Sequence, residues 1–226
     1  MAWTPPLLDA LPLKVGEADY FLRGLEAETD PLVAEYLFSA FASAARSVTW
    51  VLQKCMAGVQ GFDEWYTPRQ EALRADPLAR FMKEQRNSVQ KGAQLAIKGG
   101  HMSAGGTSIR FFFDWALAAE AGIDGNSDVV SLCRSFFAGL VILIHECLRD
   151  FRYLLDPHTF LTPKWMAERN LTPDDLEEEL GYPRGWTSIK GGREEWPNRI
   201  RALLRNQPAW PDISEVVGRR GDPATD

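Results

Sequence analysis

Cysteine and histidine are both scarce, with three of each in 226 residues. Cys55, Cys133 and Cys147 are odd in number, show no CxxC spacing and fall within apolar helical patterns, where a free thiol packs as a small hydrophobe. That excludes a disulfide framework. His101, His145 and His158 never stand at ligand spacing from one another or from a cysteine, so no metal and no cofactor are expected. Positive charge is also short. Against 31 acidic residues the chain has 25 basic ones, a net charge of −6, which excludes a uniform basic coat for nucleic acid but not a local one. The longest apolar run, Phe136 to Ile144, covers nine residues and includes Gly139. A membrane-spanning helix needs about 20. The opening MAWTPPLLDALPLK has no basic region ahead of an apolar stretch, so no signal peptide and no membrane partner are expected, and the protein reads as cytoplasmic.

What the chain has is helix. Asp30-Pro31 is a strong helix start, an N-cap followed by proline at the first helical position, and Val33, Leu37, Phe41, Ala44, Val48, Val51 and Cys55 then recur at helical spacing up to Gly58. A second piece is expected near Asp63 to Arg74, with Pro68 in its first turn or at a kink. A third is opened by Asp76-Pro77 and carries Leu78, Phe81, Met82, Gln85 and Val89 as a buried stripe that ends at Gly92. Paired glycines at 99–100 and 105–106 flank β-capable segments and suggest a hairpin. Ser127 is read as the cap of a second long helix, apolar nearly all round between Phe136 and Ile144 and therefore central. The expected fold is mainly all-α. It is an antiparallel helical bundle over residues 30–156 with a Gly-rich excursion at about 93–125, an irregular N-terminal segment at 1–29, and a helical appendage and tail at 157–226. In that tail Thr162-Pro163 and Thr172-Pro173 start short helices, and residues after about 206 read as a poorly ordered end.

Candidate chemistry concentrates on the third helix. Between Arg69 and Lys98 stand seven basic and three acidic residues, a local excess of four positive charges. Lys83, Arg86 and Lys91 are the phosphate-binding candidates: Arg offers a rigid donor fork and Lys a mobile point charge. A long first helix, a second ending in Arg86-Asn87, a glycine soon after and a long late helix together resemble the HEPN superfamily of helical-bundle proteins. Its active members are metal-independent RNases that carry Arg, a polar residue, then His a few positions later. The resemblance implies Arg86 as the transition-state arginine and Asn87 as the polar residue beside it. The family histidine falls at Lys91, which at its ordinary pKa of ~10.4 stabilises charge but does not serve as a base near neutrality. The resemblance further implies a homodimer with two copies of the motif facing one cleft, and RNA as partner. His101, in the Gly-rich excursion, is a candidate to reach Arg86 in place of the lost histidine.

The expected function is thus that of a metal-independent RNase with catalytic Arg86, Asn87 and Lys91, or of an inactive, RNA- or phosphate-binding relative. Two other readings stand beside it. One is a non-enzymatic scaffold that binds a protein partner through the C-terminal tail. The other is a DNA-binding regulator, because RNLTPDDLEEELGYPRGWTSIKGG resembles a helix-turn-helix with Leu176, Leu180 and Gly181 in matching places and Trp186 and Ile189 on a recognition helix. Glu177 departs from that pattern, which usually needs a small residue there.

Overall fold

A capping side chain followed by proline starts five of the eleven α-helices among the described residues. The computed structural model describes residues 8–90, 97–102, 109–187, 192–205, 207 and 209–220. The first helix, α1 (Ala10–Ala27), lies where an irregular segment was expected. Leu11, Val15, Ala18, Leu22 and Leu25 form its buried stripe, and Pro12 falls in the first turn, where a missing N–H costs no helical hydrogen bond. Helix α2 (Pro31–Cys55) begins as expected, with Asp30 accepting from the backbone N–H of Leu32 and Val33.

Helix α3 (Phe62–Ala75) keeps Pro68 in its interior rather than at its start. The carbonyls beside it have side-chain donors: Thr67 Oγ1 reaches Asp63 O at 2.7 Å and Arg69 Nη1 reaches Trp65 O at 2.9 Å. Asp76 caps α4 (Pro77–Gln90) through Leu78 N at 3.0 Å, and Phe81, Met82 and Gln85 are buried. Gly92 lies outside the described residues.

A single antiparallel pair follows, β1 (Ile97–Met102) and β2 (Ile109–Phe113), in register from Ile97 opposite Phe113 to Met102 opposite Ile109 with an irregularity between Ile97 and Gly99. His101 is therefore on a strand, opposite Arg110 and exposed, not in a loop. Phe113 holds the pair to the bundle, its ring 5.2 Å from Phe38 of α2 and 4.9 Å from Phe81 of α4. Helix α5 (Trp115–Ala121) leads to α6 (Val129–Leu155). Its start is capped by Asp128, which accepts from Ser131 N at 3.0 Å; Ser127 turns instead to Asp124. Val129, Cys133, Phe137, Val141 and Ile144 are fully buried on α6. Among the described residues α6 is the one helix long and apolar enough to cross a bilayer by length and composition, a test that a core helix also passes.

Four short helices come next: α7 (Pro157–Phe160), α8 (Pro163–Glu168), α9 (Pro173–Glu179) and, after a 3-10 turn, α10 (Trp196–Leu204). Asp156, Thr162 and Thr172 cap the first three, each ahead of a proline, and Thr172 and Asp175 form a reciprocal capping box. The last helix, α11 (Ser214–Arg220), lies where a poorly ordered end was expected. The fold is mainly all-α: among the described residues, eleven α-helices and one two-stranded sheet.

The chain divides into two units, with the division inside α6 between His145 and Glu146. One contains residues 8–145 and the segment from Asp212, so α11 belongs with α1. The other contains residues 146–211 and has its own core of Leu161, Met166, Leu176, Ile200 and Leu203. In that smaller unit Glu177 is fully buried. Its carboxylate accepts from Trp186 N at 3.0 Å, Thr187 N at 3.1 Å, Thr187 Oγ1 at 2.6 Å and Arg199 Nη2 at 2.8 Å. Where the helix-turn-helix reading needs a second helix opening after Gly181, residues 184–187 form a turn wrapped on this carboxylate, with Gly185 at φ +80°. Ile189 lies outside the described residues.

Candidate phosphate-binding cavity

Helices α2, α3, α4 and α6 of the larger unit line an open cavity of about 340 Å³. Its volume is within the ~300–1,000 Å³ of small-molecule sites. Four cations border it: Arg46 from α2, Arg74 from α3, and Arg80 and Lys83 from α4. Among the described residues no carboxylate and no histidine line it. The helical repeat explains the convergence, since Arg80 and Lys83 are three residues apart on one face of α4, and Arg74 closes α3 one turn before α4 begins.

The rest of the wall is neutral. Arg46 Nη1 donates to Thr49 Oγ1 at 2.8 Å. Gln70 Nε2 donates to Gln53 Oε1 at 3.4 Å, and Gln53 Nε2 donates to Thr49 O at 3.0 Å. Tyr66, Leu73, Phe136 and Leu140 supply an apolar side.

The electrostatics are one-signed. Several basic residues elsewhere are paired, as in Arg134 with Glu26 at 2.8 Å, Arg152 with Asp156 at 3.0 Å and Arg184 with Asp175 at 2.8 Å. Among the described residues Arg46, Arg74, Arg80 and Lys83 have no carboxylate within ion-pairing distance, in a chain with six more acids than bases. An anion relieves their mutual repulsion and meets guanidinium forks matched to phosphate oxygens. Two cation-on-aromatic pairs stand on the same helices. Lys54 Nζ is 4.7 Å from the centre of the exposed Trp50 ring, and the Arg69 guanidinium is 3.8 Å from that of Trp65.

The residues singled out in the sequence separate here. Lys83 borders the cavity. Arg86 and Asn87, one turn further on, do not. Arg86 is half-buried, its Nη1 donates to Asn87 Oδ1 at 3.2 Å, and its buried Nε has no hydrogen-bond partner among the described residues. Lys91 lies outside the described residues. Sequence reasoning did not find Arg74, Arg80, Gln53 and Gln70. The local excess of positive charge was the available signal, but it does not say which of seven cations share a face.

A protein-family model covers part of this site. Residues 25–100 match the family described as bacteriophage lambda protein ea47. That stretch is similar to the ea47 family. It is about a third of the chain and takes in α2, α3 and α4, hence all four cations and both glutamines of the cavity. No curated protein and no solved structure matches the chain.

Proposed function

We propose that the larger unit binds RNA through its phosphates at the cavity of Arg46, Arg74, Arg80 and Lys83 and does not cut it. One observation carries this reading: four cations on three helices border one cavity with no carboxylate among its described lining residues, in a protein of net charge −6. Among the described lining residues there is no histidine or carboxylate to take a proton from a ribose 2′-hydroxyl near neutral pH, and what they offer is electrostatic binding. RNA is the partner that the HEPN resemblance implies, and the Trp50 and Trp65 pairs are the aromatic-with-cation arrangement on which unpaired bases stack.

The test is fluorescence anisotropy of a labelled single-stranded RNA against the full chain over a salt series. Each phosphate contact contributes about −0.7 to the slope of log affinity against log salt. Arg80→Ala and Lys83→Ala each weaken binding and flatten the slope by about that amount, while Arg86→Ala leaves both unchanged. Unaltered binding by a folded variant lacking all four cations overturns the proposal. RNA cleaved by the wild type in EDTA but not by Arg86→Ala restores the nuclease reading.

A further inference from the structure

We infer that the cavity seats a whole nucleotide rather than a bare phosphate group, with Gln70 reading the edge of the base. This rests on the phosphate-binding reading and adds the class of ligand. Inorganic phosphate uses only the cationic side; it leaves the Tyr66, Leu73, Phe136 and Leu140 side unsatisfied and fills little of the about 340 Å³. A ligand with an anionic end and a flat, largely apolar body uses both.

The amides supply the third element. Gln53 is committed on both ends, donating to Thr49 O at 3.0 Å and accepting from Gln70 at 3.4 Å. That holds Gln53 still and orients Gln70. Gln70, half-buried, has spent one N–H on a long bond, which is the one hydrogen bond its amide makes among the described residues. An oriented primary amide with a free donor and a free acceptor side by side is the group that pairs with the donor–acceptor edge of a base. Thr49 does not compete, since its hydroxyl already accepts from Arg46 Nη1 and donates to Arg46 O.

Titration calorimetry of the full chain with the four nucleoside 5′-monophosphates and with inorganic phosphate tests this. At least one nucleotide binds roughly ten-fold or more tightly than phosphate, and Gln70→Leu removes most of that preference while phosphate affinity stays as it was. Four nucleotides that bind no tighter than phosphate overturn the inference and leave the phosphate-binding reading standing. So does a Gln70→Leu chain, folded by circular dichroism, that keeps the preference. Failure of phosphate and nucleotides alike to bind overturns both. The comparison of wild-type ligands decides the matter even if the variant does not fold.

Discussion

Arg220 Nε donates to Asp19 Oδ1 at 2.8 Å, joining α11 to α1 across 201 positions of sequence. Asp19 is almost wholly buried, and Arg219 Nη2 reaches its other oxygen at 3.0 Å. Arg220 also pairs with Glu26, which Arg134 holds from α6. Burial pushes the Glu26 carboxyl up, but the hydrogen bonds and charges of Arg220 and Arg134 together bring it below its usual range. Removing one partner of a buried charge pair strands the other. Arg220→Ala is therefore expected to destabilise the protein by about 3 kcal/mol in urea unfolding. Asp19→Ala and Arg220→Ala combined should cost clearly less than their sum. Strict additivity would show that α11 rests on α1 without coupling to Asp19.

Glu177 makes stability depend on acid. Burial pushes its carboxyl up, yet Thr187 and Arg199 outweigh that and hold it at about 2, against an ordinary value of 4.5. A carboxyl lowered on folding stabilises fully above its unfolded value and loses that contribution as pH falls through its folded value. The contribution from Glu177 is thus complete above about pH 4.5 and lost toward pH 2. Glu177→Gln is expected to unfold at lower urea near neutral pH, by about 3 kcal/mol. Between about pH 4.5 and pH 2 its stability should fall less steeply than that of the wild type. Asp175, also held at about 2 by Thr172 and Arg184, keeps some acid sensitivity in the variant. Parallel pH profiles for the two chains would remove Glu177 from this role.

The thiols should be silent in the native state. Cys55, Cys133 and Cys147 are all buried. Burial raises the Cys55 thiol and, with Asp128 and Glu26 adding to it, raises that of Cys133 well above its ordinary range. Thiolate is the reactive form. A disulfide reagent such as dithionitrobenzoate should therefore titrate no thiol in the folded chain and three after unfolding. Rapid native reaction of even one equivalent contradicts the burial of these thiols.

The helix starts were legible because their chemistry is local. Asp30-Pro31, Asp76-Pro77, Thr162-Pro163 and Thr172-Pro173 each place a side-chain acceptor beside the first free N–H groups, ahead of a ring already set near helical φ. The same attention to proline hid α1, since Pro12 reads as a breaker until the frame places it in a first turn. Pro68 likewise lies inside α3, although its ring removes the N–H that would reach Glu64 O. Helix α11 was illegible for another reason: seven residues do not hold a helix alone, and its support is the acidic pair on α1.

Sequence by itself determined that this is a mainly helical protein, where most helices begin, and that positive charge gathers between residues 69 and 98. Those outcomes depend on neighbours within a turn or two of chain. Only the tertiary structure decided which cations act together. Arg46 is brought beside Arg74, Arg80 and Lys83 by the packing of α2 on α4 and α3 on α4, while Arg86, in the motif that reads most strongly along the chain, is turned to Asn87 and away from the cavity. A cavity wall is assembled from faces of separate helices, and spacing along one helix says nothing of what the next helix contributes.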